Sequence, residues 1–98
     1  MKKLFVAVVL CAAGLVQAEP AKYTEVCKGC HDAAIASMMG APAQGDAAAW
    51  AARQGGSLDA LVASAKAGIA GTAMMPAGGC ADCSDADLKE AVKYMSGL

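Results

Sequence analysis

Clustered positive charge is missing from this sequence. Its eight Lys and Arg residues are scattered among nine Asp and Glu, for a formal net charge of −1. Without a basic block there is no electrostatic footprint for nucleic acid. Aromatics are scarce, with one Trp, one Phe and two Tyr. There is a single histidine, His31, which excludes any site built on two imidazoles. The one long apolar run, residues 4–16, falls short of the ~20 residues a membrane span requires. No stretch alternates as a strand would, and there are neither repeats nor a linker. Disorder is excluded in turn by 17% charged and 57% hydrophobic residues. At 98 residues the chain is one domain at most.

What is present begins at the front. Met1-Lys2-Lys3, the apolar run to Val16 and the small-residue ending Val16-Gln17-Ala18 are the three regions of a secretory signal. Residues 1–18 are therefore expected to be a signal peptide, with Cys11 discarded in it, and residues 19–98 the mature domain. Loss of Lys2 and Lys3 leaves six basic against nine acidic residues, a net charge of −3. The mature chain keeps Cys27, Cys30, Cys80 and Cys83 and enters a compartment that permits disulfides.

That domain has little to fold around. Only 17 of its 80 residues are Val, Ile, Leu, Met, Phe, Trp or Tyr, and 21 are alanine. Domains this small are marginal on hydrophobic burial alone and usually recruit disulfides, a metal or another large apolar group. A cofactor is expected.

Three segments carry apolar residues at i, i+3, i+4 and i+7, one face of a helix: Tyr23, Val26, Cys27 and Cys30; Leu58, Leu61, Val62 and Ala65; Leu88, Ala91, Val92 and Met95. Pro20 suits the first turn of the first. Ser57 and Gly68 bracket the second as N-cap and terminator, and Ser84 with Asp87 predicts a capping box for the third. A fourth, short helix is expected from an Asp46 cap through residues 47–53, with Gly55-Gly56 beyond it. Residues 32–45 and 68–83, rich in glycine and proline, read as ordered loops.

Cys27-Lys28-Gly29-Cys30-His31 is a complete C-x-x-C-H, the pattern of covalent c-type haem attachment. Two thiols one helical turn apart reach two vinyl groups on one porphyrin edge, and the next side chain turns under the ring to ligate iron. The second ring nitrogen of His31 should donate to a carbonyl that fixes the ring, and Pro42 in the following loop is the expected source. With no second histidine, the sixth ligand is expected to be methionine, the pairing that raises the potential of electron-transfer haem. Met95 reads as core packing, and Met38 and Met39 follow His31 too closely to return over the opposite face. Met74 and Met75 precede Pro76, which biases its predecessor toward extended backbone. Met75 is the expected ligand, with Met74 as the alternative. Trp50 and Arg53, one turn apart, either face a haem propionate by N–H and by charge or serve as a core aromatic and an exposed cation.

Across about residues 26–94 the chain resembles class I cytochrome c, and within it the small bacterial cytochromes c5. The resemblance is carried by the haem motif, Gly40-Ala41-Pro42, Gly45-Asp46-x-x-x-Trp50-x-x-Arg53, Gly68, Met75-Pro76 and Gly78-Gly79-Cys80-Ala81-Asp82-Cys83. It implies an all-α cytochrome c fold, four or five short helices around one covalent haem, with first and last helices crossing. It also implies Met75 as axial ligand, and a soluble periplasmic carrier of single electrons rather than an enzyme. Redox proteins would be its partners: membrane-bound reductase or oxidase complexes and other cytochromes. Cys80 and Cys83 are followed by Ser84, not histidine, so a disulfide is their simplest state. The rival reading is a zinc module of four thiolates, Cys27, Cys30, Cys80 and Cys83. A thiol-disulfide catalyst would need a βαβ pattern that the sequence lacks.

Overall fold

The computed structural model describes residues 18–98. The expected signal peptide, residues 1–18, lies outside them but for its last residue. Five helices make up the fold, and no strand occurs among the described residues. The first helix, α1, covers 21–31, wound as a π-helix over Tyr23–Cys27 and as an α-helix over Lys28–His31. The others are α2 (Ala36–Met39), α3 (Ala47–Ala51), α4 (Leu58–Ala67) and α5 (Asp85–Ser96). Single 3-10 turns cover Gln54–Gly56 and Pro76–Gly79.

The caps form where the sequence predicts them. Asp46 Oδ1 accepts from Ala49 N–H at 3.2 Å, and Ser57 Oγ from Ala60 N–H at 3.3 Å. Ser84 and Asp87 exchange both bonds of a capping box, at 3.0 and 3.1 Å. Each satisfies N–H groups that a helix start leaves without an intrahelical partner.

Two boundaries differ from expectation. Residues 32–45 contain α2, because Asp32 ends α1 with an Asx turn to Ala34 N–H (2.9 Å) and its carbonyl collects Ile35 and Ala36 N–H. Gly40, at φ +69°, closes the turn. One turn is too short to display a period. The helix expected over 47–53 stops at Ala51, and Arg53 is extended (φ −102°, ψ 141°) ahead of three residues with positive φ, Gln54, Gly55 and Gly56. Arg53 Nη1 folds back onto the Ala49 carbonyl at 3.1 Å, satisfying an orphan acceptor of α3.

Tyr23, Trp50, Leu61, Ala91, Val92 and Met95 form the core cluster, flanked by Cys27, Leu58, Val62, Ala65 and Tyr94. The helical faces read from the sequence are the faces that pack. First and last helices meet through Tyr23 and Tyr94, whose rings lie 5.0 Å apart at 57°. A tilted pair adds to the area the two rings bury. Burial pushes the Tyr23 phenol up to about 12. Two adjacent residues late in the loop after α2 tie it to the first and last helices, Gln44 N–H to the His31 carbonyl (2.7 Å) and Gly45 N–H to the Met95 carbonyl (2.9 Å).

Candidate functional site

A cavity of about 420 Å³ opens between α1, α4, α5 and the loops around Pro42 and Met75. That is the size of a cofactor pocket. Its walls are the apolar faces of the long helices, with Leu61 and Ala65 from α4 and Leu88, Ala91 and Val92 from α5. Where a larger side chain would fill the space, Ala65 and Ala91 leave it open. The sequence places these residues on helical faces, and its many alanines are the feature that led to the expectation of a cofactor.

Cys27, Cys30 and His31 border this cavity from α1. Both thiols are unpaired, and burial raises the pKa of Cys27. His31 is 9% exposed. Its Nδ1 lies 2.8 Å from the Pro42 carbonyl, which can only accept, so Nδ1 carries a proton, and in the neutral ring the lone pair is then on Nε2. The same histidine is held by its backbone through Gln44. The ring bond to the Pro42 carbonyl orients the imidazole, and the backbone bond holds the residue that carries it. Trp50 packs beside it, ring centroids 5.4 Å apart.

The indole N–H of Trp50 donates to the Ala43 carbonyl at 2.8 Å, so Trp50 is a buried wall whose donor is already engaged. Arg53 is exposed and is the only Lys, Arg, Asp or Glu lining the cavity among the described residues. Met74 and Met75 line it from the loop before the Pro76–Gly79 turn, and Met39 and Met95 also border it. Met38 is 79% exposed and does not. Met75 has the extended backbone expected ahead of proline, φ −81° and ψ 163°.

Glycines bring the methionine loop close. At Gly68 a Cβ would meet Pro76 N at 2.7 Å and Pro76 Cδ at 2.9 Å. At Gly79 it would meet Met75 Sδ at 2.9 Å. Besides ending α4, Gly68 makes this close contact with the loop, which only the tertiary structure shows. Next along the chain, Cys80 and Cys83 are bonded to each other, Cα atoms 5.6 Å apart. Lys22 of α1 reaches Asp82 in that turn at 3.1 Å and holds its carboxyl below the usual range. The four cysteines do not converge as the zinc reading requires. The close group of ligand-type side chains here is Cys80, Asp82 and Cys83, without Cys27 or Cys30.

The donor set suits a flat apolar macrocycle with a metal at its centre: two adjacent thiols, one oriented imidazole and thioethers from a separate loop, around apolar walls. Known proteins agree. Residues 16–95 match the family model described as cytochrome C oxidase, cbb3-type, subunit III. A cytochrome c5 of Ectopseudomonas mendocina is 52% identical over 75 residues, 74% of this chain and 79% of the relative. A cytochrome c5 of Azotobacter vinelandii is 46% identical over 80 residues, 80% of this chain and 87% of its own. A cytochrome c-555 of Chlorobaculum tepidum is 46% identical over 79 residues, 79% and 70% of the two chains. With the all-helical fold and the C-x-x-C-H motif at the cavity, this chain belongs to the small class I c-type cytochromes, among relatives of the cytochrome c5 group.

Proposed function

We propose that the protein is a periplasmic single-electron carrier holding one haem c, exported by residues 1–18 and mature from Glu19. Cys27 and Cys30 supply the thiols for two thioether bonds. His31 Nε2 and Met75 Sδ are the axial ligands. Haem iron supplies a reversible one-electron couple, which the Met/His pair moves to higher potential. Pro42 orients His31, Trp50 closes the wall behind it, and Arg53 is the cation available to a propionate. The Cys80–Cys83 disulfide keeps the chain beyond the methionine loop short and stiff.

One observation carries this reading: Nδ1 of the single histidine is bonded to Pro42 at 2.8 Å, beside two unpaired thiols on an apolar cavity. The C-x-x-C-H context, with both thiols beside it on an apolar cavity, favours a ligand role for this imidazole. With protein groups on both sides of the iron, no coordination position is left for a substrate, so the reading is a carrier and not an enzyme. Its partners are other redox proteins, met in brief encounters through a small interface. The test is the optical spectrum of exported protein. A low-spin c-type spectrum with a sulfur-to-iron band, and no rapid carbon monoxide binding by the ferrous form, is expected. A high-spin spectrum with fast carbon monoxide binding refutes the carrier.

A further inference from the structure

The loop that carries Met75 is tied by one side chain. Ile69 N–H donates to the Met74 carbonyl at 2.8 Å, and Thr72 N–H donates to the Ile69 carbonyl at 3.2 Å. Gly71, at φ +78°, occupies the third position of that turn, where a type II turn demands positive φ. The Thr72 hydroxyl completes the closure: it donates to the Ile69 carbonyl at 2.8 Å and accepts from Met74 N–H at 3.1 Å. Ala70, Gly71 and Ala73 have no polar side-chain atom, so within residues 69–74 no other side chain from the turn can make these bonds.

The consequence falls on the neighbouring residue. Both backbone polar groups of Met74 are fixed within the turn, and the Met75 carbonyl accepts from Gly78 N–H at 2.9 Å. Met75 is therefore held upstream through Thr72 and downstream through the Pro76–Gly79 turn. A ligand on a loop ordered beforehand loses less conformational freedom when it binds. We propose that Thr72 is the positioning residue that presents Met75 to the iron. This rests on the reading of Met75 as axial ligand. Thr72 touches neither iron nor sulfur in this account; it acts through Met74.

The test uses the holoprotein and its Thr72→Val and Thr72→Ser variants. Valine keeps the shape and removes the donor and the acceptor; serine restores both. Added imidazole competes with the methionine sulfur, so its apparent affinity reports how well the sulfur is presented. Two hydrogen bonds of ordinary net strength correspond to roughly a tenfold change. Thr72→Val should bind imidazole about tenfold more tightly and lose its sulfur-to-iron band at lower pH, and Thr72→Ser should return to wild type. Unchanged affinity and band in Thr72→Val overturn the proposal, as does a serine variant no better than valine. If Thr72→Val does not accumulate, Thr72→Ser and Thr72→Ala decide it by the same titration. Met75→Ala separates the two readings: if that variant keeps the wild-type band, Met75 is not the ligand, and the role of Thr72 falls with it.

Discussion

Replacing Gly68 by alanine tests how the end of α4 sets the methionine loop. Gly68 has φ +78° and ψ 169°, a region that residues with a Cβ avoid at a cost of about 1–3 kcal/mol. A Cβ there would also stand 2.7 Å from Pro76 N, 2.9 Å from Pro76 Cδ and 3.0 Å from Met75 C. Two of these are backbone atoms, so no rotamer relieves the contact and one segment must shift, for a further ~1–3 kcal/mol. Together the loss is about 2–6 kcal/mol, against a stability of roughly 5–15 kcal/mol for a domain. At about 4–8 °C per kcal/mol, Tm falls by about 8 °C or more. Gly97→Ala is the control: its φ is +74° but nothing lies within 4 Å of the added carbon, so only the left-handed cost of about 1 kcal/mol applies. Urea unfolding of the two holoproteins, followed by Trp50 fluorescence and haem absorbance, gives the difference. Gly68→Ala should also weaken the sulfur-to-iron band, since the clash falls on Met75 and Pro76. Equal destabilisation in the two variants, with the band intact, would refute the reasoning.

Further outcomes are expected. Met75→His should lower the reduction potential by on the order of 0.3 V, within the ~0.8 V that axial ligands span, while Met74→Leu changes it little; loss of the sulfur-to-iron band in Met74→Leu would assign the ligand to the wrong neighbour. Tyr23 is pushed from 10.0 to about 12 by burial, so the unfolded chain ionises first and stability falls as pH rises from 10 towards 12, by about 2–3 kcal/mol from this group; urea titrations of Tyr23→Phe should show a correspondingly smaller loss. Alkylation of freshly prepared, denatured protein should find Cys80 and Cys83 without free thiols, and two labelled thiols would contradict their pairing.

The helix caps were legible because capping is local: Asp46, Ser57 and Ser84 act on N–H groups three residues away. The bond from His31 to Pro42 was legible for a different reason: the C-x-x-C-H motif implies an imidazole whose second nitrogen needs an acceptor, and the loop that follows is the nearest source of carbonyls. What the sequence hid depends on contact across the chain. Nothing near Trp50 announces that its N–H turns to Ala43, and Gly55-Gly56 mark an end to that helix without saying that it stops at Ala51, ahead of Arg53. The π-helical winding of Tyr23–Cys27 is invisible to a 3.6-residue pattern, as is the one-turn α2. Thr72 looked like any loop threonine, because its role lies in closing a turn whose other members have no polar side chain.

Covalent attachment of haem through Cys27 and Cys30 is tested by the mass of the exported protein under denaturing conditions. A chain beginning at Glu19 that retains the mass of one haem is expected, and after Cys27→Ser and Cys30→Ser together a chain without it. A wild-type chain that loses its haem to acid acetone, or never carries one, would contradict it.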